Sequence, residues 1–278
     1  MQSMIQNYEL KDIWQVELEI LDEIDRVCKE NGLRYSLGYG TLLGAVRHGG
    51  FIPWDDDIDI MMPRKDYDRL REIWKENAKE GFLLEDETMF DDYMNNFAKV
   101  RKDHTTFLQF ESERTCKYHT GFFVDIFPGD RLAPAGFQRK IQYAALALNI
   151  LYNRSYTSGA GGLRGLAERV LLKIVPKRYH SKFSIAFGKF ASRWNDDEKR
   201  QLIFPNAAVN CTRYYPADIF DSMEPLRFEG KPYSAFRDYD TALRVEFGDY
   251  MQLPPEEERV LMHHPLVVDF QHNYHELR

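Results

Sequence analysis

The chain has 278 residues and a mass of 32.8 kDa, and its 44% hydrophobic and 29% charged residues are typical of a globular protein. This length allows one large domain, or one domain with a sizeable appendage. The formal net charge of −7 argues against general nucleic-acid binding, and three widely separated cysteines, Cys28, Cys116 and Cys211, argue against a disulfide framework or a zinc site.

Hydrophobic periodicity predicts a fold that mixes strands and helices. The predicted helices cover residues 10–31, 42–47, 64–78, 137–153, 163–174, 179–194 and 238–247. The predicted strands cover residues 33–37, 57–63, 82–84, 96–102, 105–110 and 121–128, with a strand pair at 225–232. A flexible glycine-rich break is predicted at 158–162.

Two acidic residues alternate with apolar residues in the predicted strand 57–63. Asp57 and Asp59 leave the same face of an extended strand, whereas Ile58 and Ile60 leave the opposite face and enter a core. Neighbouring carboxylates repel each other unless a cation lies between them, and hard oxygen ligands suit Mg²⁺ or Mn²⁺ better than Zn²⁺. A calcium loop is disfavoured because Ile60 stands where that loop requires glycine.

A glycine-rich turn precedes the predicted helix 42–47. At Gly38, Gly40 and Thr41, backbone N–H groups and a hydroxyl can approach phosphate, and Arg47 and His48 can contact phosphate oxygens. Phosphate donors followed by a metal-binding pair indicate phosphoryl transfer. The alternative is that the glycines only form a turn and the acids only a solvated loop.

Two further positions carry charge within apolar strands. Asp125 lies in the run 121–128, where a carboxylate is costly to bury without a cation or hydrogen bonds, and it is favoured over Asp130, which is predicted to lie in a turn. Lys99 and Arg101 share one face of a strand, opposite Val100, and either contact phosphate or lie exposed to solvent.

The stretch 35–63 resembles the signature of the LicD family, which includes the fukutin-related transferases and lies within the nucleotidyltransferase superfamily. The matching residues are Gly38, Gly40, Thr41, Leu42, Leu43, Gly44, Arg47, His48, Gly49 and the run Phe51-Ile52-Pro53-Trp54-Asp55-Asp56-Asp57-Ile58-Asp59. The segment 247–255, with the sequence FGDYMQLPP, is similar to the carboxy-terminal pattern of that family.

The resemblance implies an α+β fold, with a nucleotidyltransferase-like core of mixed β-sheet flanked by helices and a helical insertion. The implied domains are a catalytic core at 1–132, a basic helical insertion at 133–215 and a part completing the catalytic domain at 216–278. Asp57, Asp59 and Asp125 are implied as the catalytic and metal-binding set. Lys99 and Arg101 match a basic strand that serves phosphate.

The resemblance also implies metal-dependent transfer of phosphocholine, or a related phospho-alcohol, from CDP-choline or another CDP-alcohol. The implied acceptor is a sugar hydroxyl of a cell-surface glycan, such as a lipopolysaccharide or teichoic acid precursor, and CMP is released. Tyr39 and Trp54 are hypothetical receptors for the donor's alcohol, since aromatic rings bind quaternary ammonium, or are plain core residues. The alternatives are a nucleotidyltransferase that attacks an α-phosphate, and a non-catalytic glycan- or membrane-binding module.

The location predicted for the chain is the cytoplasm, at the inner face of the cell membrane. The acidic amino terminus lacks a signal-peptide core, and no run of about 18 apolar residues predicts a span. Between Gly162 and Arg193, eight basic residues and one acid give a net charge of +7. These helices either form an ordinary solvated pair or approach anionic lipid or a phosphate-rich glycan acceptor.

Overall fold

The structure, a computed structural model, describes residues 8–203 and 213–277, so Cys211 lies outside the described residues. The chain divides into two compact units. The first contains the described parts of Met1–Glu85, Lys99–Pro128 and Asp218–Arg278, and the second those of Asp86–Ala98 and Gly129–Ala217. Within these described ranges, no helix is both long enough and apolar enough to span a bilayer.

The secondary structure mixes helices and strands along the whole described chain. The α-helices are α1 (Leu10–Asn31), α2 (Tyr39–Arg47), α3 (Arg64–Asn77), α4 (Phe137–Arg154), α5 (Gly162–Ile174), α6 (His180–Ala191) and α7 (Tyr239–Phe247). The strands are β1 (Ser36–Leu37), β2 (Asp59–Pro63), β3 (Phe82–Glu85), β4 (Ala98–Lys102), β5 (Thr106–Leu108), β6 (Phe123–Arg131), β7 (Leu202–Ile203), β8 (Met223–Phe228), β9 (Lys231–Phe236) and β10 (Val267–Asp269).

The first unit is organised around a sheet with strand order β1-β2-β6-β4-β3. β1 and β2 are antiparallel, as are β3 and β4, with Glu85 opposite Lys99. The order places β2, which begins at an acid, beside β6, which carries Asp125, and places β6 beside the basic strand β4. This arrangement confirms the predicted α+β fold.

Local sequence patterns explain the helices that pack in the first unit. α1 ends where Gly32 adopts a left-handed conformation, with φ of 65°, which costs glycine little. In α3, Tyr67, Leu70, Ile73 and Trp74 are buried, as the helical spacing predicted. The indole N–H of Trp74 donates to the carbonyl oxygen of Phe82, which ties α3 to β3.

Three predicted boundaries are wrong by a few residues near the acids. α2 begins at Tyr39 and not at residue 42, so Gly40 and Thr41 belong to its first turn. β2 begins at Asp59, so Asp57 precedes the strand. Asp130 lies in β6 and not in a turn, because its backbone pairs with Ile203 of β7 in the second unit.

The second unit contains α4, α5 and α6, and periodicity predicted each of these helices. The side chain of Gln142 in α4 accepts the backbone N–H of Ala133 and donates to the carbonyl oxygen of Ala191 at the end of α6. α4 and α6 pack closely. The apolar side of α5 does not pack inward, however, since Leu163 and Ile174 are exposed.

Candidate active site

The start of α2 is fastened to the start of β2 by backbone and side-chain hydrogen bonds. The N–H of Gly38 donates to the carbonyl oxygen of Asp59 at 2.9 Å, and the N–H of Asp59 donates to Thr41 Oγ1 at 2.8 Å. Thr41 therefore fixes the position of one acid of the predicted pair. Its hydroxyl hydrogen can still donate to another group.

The close approach of Asp55 to the helix explains the glycine at position 40. A Cβ atom at Gly40 would lie 2.6 Å from Oδ2 of Asp55, so only glycine leaves room for this carboxylate. The indole N–H of Trp14, in α1, donates to the carbonyl oxygen of Asp55 at 2.9 Å. Gly40 thus has a local structural reason to be glycine, which is independent of phosphate binding.

The predicted carboxylates Asp57, Asp59 and Asp125 lie close enough to influence one another electrostatically. The N–H of Asp125 donates to the carbonyl oxygen of Ile58 at 2.9 Å, so this acid is hydrogen-bonded beside the predicted pair. Burial, followed by the charges of Asp57 and Asp125, raises the pKa of Asp59 well above its ordinary value. Burial also raises the pKa of Asp57, partly opposed by His263.

Asp55 is a further acid of this group, and its carboxyl is hydrogen-bonded to Asp57. Burial and then the charge of Asp57 raise the pKa of Asp55 to about 8. The hydrogen bond raises the pKa of Asp55 and opposes the rise at Asp57, as expected when the Asp55 carboxyl is the donor. If these side chains were all ionised, they would carry more negative charge than the protein alone stabilises.

The basic strand β4 is buried, so the alternative of two solvent-exposed side chains is wrong. The ammonium of Lys99 lies 2.6 Å from Asp125 Oδ1 and 3.4 Å from the ring centre of Phe123. Burial lowers the pKa of Lys99, and the pairing with Asp125 opposes that shift. Arg101 donates to the carbonyl oxygen of Gly121 and forms an ion pair with Glu85 at 3.3 Å.

A buried glutamate of α1 also faces the aspartates, although the sequence analysis did not select it. Glu17 is only 1% exposed, and its Oε2 atom has no hydrogen-bond partner among the described residues. Burial, followed by the charges of Asp57, Asp56 and Asp55, raises the pKa of Glu17. The available signal was an acid in the apolar stripe of a helix, between Ile13 and Leu21.

A second contact that was not predicted from the sequence joins the loop before β2 to the carboxy-terminal segment. Nδ1 of His263 lies 3.1 Å from Oδ1 of Asp56, while the adjacent His264 is exposed. Burial lowers the pKa of His263, but the hydrogen bond to Asp56 and the charge of Asp57 raise it overall. Within the described ranges, Asp56, Asp57 and His263 form a group whose ligand atoms all lie within 4.8 Å of one another.

The chemistry of these side chains fits a divalent cation. The carboxylate oxygens suit Mg²⁺ or Mn²⁺, whereas an imidazole nitrogen is a ligand that Mg²⁺ does not prefer. The raised pKa values show that positive charge would stabilise the ionised acids. A nearby cation would also stabilise the buried Oε2 atom of Glu17, which has no hydrogen-bond partner among the described residues. The group observed around His263 and the predicted set of Asp57, Asp59 and Asp125 share one member, Asp57.

Residues 32–135 match the profile of the family described as LicD/FKTN/FKRP, nucleotidyltransferase domain. This segment contains every site residue predicted from the sequence. Residues 32–135 are a LicD-family domain. Glu17 and His263 lie outside the matched segment, before and after it.

The curated relatives of this chain include transferases. The chain is 28% identical over 256 residues to the lipopolysaccharide cholinephosphotransferase LicD of Haemophilus influenzae, which covers 90% of this chain and 94% of that protein. It is also 56% identical over 34 residues to the ribitol 5-phosphate transferase FKRP of human and of mouse, which covers 12% of this chain and 7% of FKRP.

A cavity of about 420 Å³ lies in the first unit, between residues of the LicD domain and the segment 247–255. Its wall includes the apolar residues Leu43, Ile52, Trp54, Phe247, Leu253 and Pro254, together with the polar residues Arg47, Asp249 and Gln252. Trp54 directly precedes Asp55 in the chain, but none of the carboxylates at positions 55, 57, 59 and 125 lines this cavity.

The predicted aromatic and basic ligands near this cavity already have protein partners. Arg47 Nη1 donates to the carbonyl oxygen of Tyr250 at 2.8 Å, and its buried Nε has no partner among the described residues. The guanidinium of Arg259 lies 5.5 Å from the ring centre of Trp54, and the His48 ring meets the same indole edge-on. The ring of Tyr39 packs against Phe127 with a centroid distance of 5.0 Å.

Proposed function

We propose that the chain is a metal-dependent phosphotransferase. In this proposal it transfers phosphocholine, or a related phospho-alcohol, from a CDP-activated donor to a sugar hydroxyl and releases CMP. The observation that carries the proposal is a set of mutually repelling carboxylates, which a cation would stabilise in the ionised form: the half-buried Asp55, Asp57 and Asp59, and the buried Asp125. The transferase relatives support the reaction class.

Asp57, Asp59 and Asp125 would hold Mg²⁺ or Mn²⁺, with Asp56 and His263 as the alternative partners of Asp57. When bound, the cation would supply positive charge against the diphosphate of the donor. The first turn of α2, at Gly40 and Thr41, would support the phosphate oxygens. Most of the rate enhancement would then come from positioning and charge stabilisation.

As the alternative to completing the metal site, Asp125 is the proposed proton acceptor. Lys99 engages its Oδ1 atom, which orients the carboxylate and leaves Oδ2 to take the proton of the acceptor hydroxyl. The sugar oxygen attacks the phosphorus that bears the alcohol, the bond from that phosphorus to the bridging oxygen breaks, and CMP leaves with the electron pair. Arg47 and His48 would contact the phosphate of the leaving CMP.

The positive charges around Trp54 affect which donor alcohol can bind there. A guanidinium already lies near this indole, so a quaternary ammonium would meet the charges of Arg259 and Arg47 in the same region. A neutral polyol such as ribitol or glycerol avoids that repulsion. Tyr39 and Trp54 remain proposed contacts of the donor alcohol, and a direct comparison of donors will rank choline against the polyols.

The proposed acceptor is a glycan or lipid-linked polymer precursor, such as a lipopolysaccharide or teichoic acid precursor. The name of the Haemophilus influenzae relative supports an acceptor of this class. We place the reaction in the cytoplasm, at the inner face of the membrane. The buried free thiols of Cys28 and Cys116 fit such a reducing compartment.

The decisive experiment incubates the purified chain with CDP-choline, CDP-ribitol and CDP-glycerol and measures CMP by mass spectrometry, with Mg²⁺ and with a chelator. We expect metal-dependent CMP release that Asp59→Asn and Asp125→Asn lower by at least about 10²-fold. The matched control is Asp130→Asn, in the same strand as Asp125 but bonded to Asn195 in the second unit, which should retain activity.

Two outcomes would contradict the proposal. Pyrophosphate release from CTP, without CMP release from any CDP-alcohol, would assign nucleotidyl transfer instead. Glycan binding that needs a divalent cation, with no turnover of any donor in the wild type, would assign a non-catalytic module.

A further inference from the structure

Helix α5 presents an apolar stripe to solvent. Leu163, Leu166, Val170 and Ile174 are 86%, 51%, 45% and 70% exposed. At 3.6 residues per turn these positions fall within an arc of about 80° on one side of the helix. The opposite side, which includes Gly165 and Glu168, is buried. Leu171 and Leu172 are half-buried outside the stripe, so α5 packs through these residues and leaves a second apolar side without cover among the described residues.

Basic side chains border this stripe, and no acid opposes them there. Arg169 and Lys173 lie next to the apolar arc on the helical projection, and Lys177 and Arg178 follow in the 3₁₀ turn Lys177–Tyr179. All four are exposed, and within residues 8–203 and 213–277 none forms an ion pair with a carboxylate.

Glu168 is the one acid between Gly162 and Arg193, and it is used inside the unit. It is buried and accepts hydrogen bonds from the backbone N–H and hydroxyl of Ser158, and it pairs with Arg154 and Arg164. Its negative charge is therefore neutralised by these partners, and the contacts fix the start of α5. The exposed surface beside the stripe keeps its positive charge, in a chain whose overall net charge is −7.

We propose that α5 and the turn Lys177–Tyr179 bind the surface of an anionic lipid bilayer. The helix lies in the plane of the interface, with Leu163, Leu166, Val170 and Ile174 inserted among the lipids. The basic side chains on its border contact the phosphates of the headgroups. We name these residues, from Gly162 to Tyr179, the basic-apolar surface.

Two observations favour a bilayer over other anionic partners. A phosphate-rich glycan would engage the basic side chains but would leave the apolar stripe in water. A bilayer interface satisfies both, because it offers acyl chains directly beneath negative headgroups. The 13 residues of α5 are about 20 Å long, well short of the roughly 30 Å hydrocarbon core, so the helix fits along the surface and not across it.

The proposal is tested by sedimentation of the full chain with vesicles, without donor or acceptor, so it succeeds or fails separately from the proposed reaction. Vesicles of phosphatidylcholine alone are compared with vesicles in which about one third of the lipid is phosphatidylglycerol. We expect binding to the anionic vesicles that weakens at high salt. Lys173→Ala and Lys177→Ala should each lower the affinity about fivefold.

The apolar part of the basic-apolar surface is tested by the double substitution Leu166→Glu with Val170→Glu. Both positions are exposed, so the variant should still fold. We expect this variant to lose vesicle binding with an unchanged circular dichroism spectrum. The matched controls are Met89→Glu, an exposed apolar residue outside the helix, and Lys65→Ala, an exposed lysine of α3, and both should bind vesicles like the wild type.

Three results would overturn the proposal. The first is equal or absent binding to both vesicle types. The second is a glutamate variant that still binds anionic vesicles, since the basic residues alone would then act as a general polyanion site. The third is a concentration-dependent dimer in ultracentrifugation that the glutamate variant abolishes, because a second copy of the chain would then cover the stripe.

Discussion

Replacing Asp55 by asparagine should stabilise the metal-free protein at alkaline pH. The carboxyl of Asp55 has a pKa of about 8, because burial and the charge of Asp57 disfavour its ionised form. In the unfolded chain the same group ionises near pH 3.8. The folded chain therefore binds more protons between these two pH values, and the free energy of unfolding falls as the pH rises through this window.

The size of this effect follows from the shift. A difference of about four pH units corresponds to about 6 kcal/mol at 1.36 kcal/mol per unit, if Asp55 lost its proton alone. Because Asp57 shares the hydrogen bond and can relax when Asp55 changes, we expect about 2 kcal/mol at pH 9. The asparagine side chain can donate to Asp57 as the protonated carboxyl does, so the variant should match the wild type near pH 5.

The assay is thermal unfolding of chelator-treated protein between pH 5 and 9. The wild-type midpoint should fall with pH, and that of Asp55→Asn should stand about 5 °C higher at pH 9. Asp196→Asn, at an exposed site, serves as the control and should follow the wild type. Added Mg²⁺ should restore the wild-type midpoint at pH 9. A wild-type midpoint independent of pH, or a variant that declines as steeply, would refute this account of the buried acids.

Three further substitutions probe separate contacts. Gly40→Ala places a Cβ atom 2.6 Å from Asp55 Oδ2, so CMP release should fall by at least about tenfold while the thermal midpoint changes little; undiminished turnover would contradict this. Arg101→Met leaves its buried carboxylate partner without the ion pair, and urea unfolding should show a loss of about 3 kcal/mol; a loss below 1 kcal/mol would make that pair unimportant. His263→Gln should weaken Mn²⁺ binding, measured by electron paramagnetic resonance, about tenfold, whereas His264→Gln should not.

Local patterns in the sequence predicted the elements because their causes are local. The buried face of α3 follows from helical spacing, and the end of α1 follows from Gly32. The start of α2 was missed because Tyr39, with φ of 39°, enters the helix from a conformation that favours glycine. Hydrophobic spacing alone does not reveal a residue with such a backbone conformation.

The parts of the site that the sequence did not reveal depend on distant contacts. His263 meets Asp56 across 207 positions of the chain, and adjacent histidines carry no signal for which one turns inward. Helical periodicity gives α5 an apolar side, but periodicity does not say whether that side will be covered by protein. The role of Lys99 was left open for the same reason, since only the fold shows that Asp125 lies opposite it.

The residues that contact the acids of the site come from distant parts of the chain, both before and after the matched domain. A fragment trimmed to residues 32–135 would keep the aspartates but lose Glu17, His263 and the indole of Trp14 that holds Asp55. During synthesis, the imidazole that balances Asp56 emerges last, after more than two hundred residues have already been made. Until then the nascent aspartates lack that counter-charge, so a fragment limited to the matched domain is a poor route to active material, and a chain that keeps both Glu17 and His263 is the sound one.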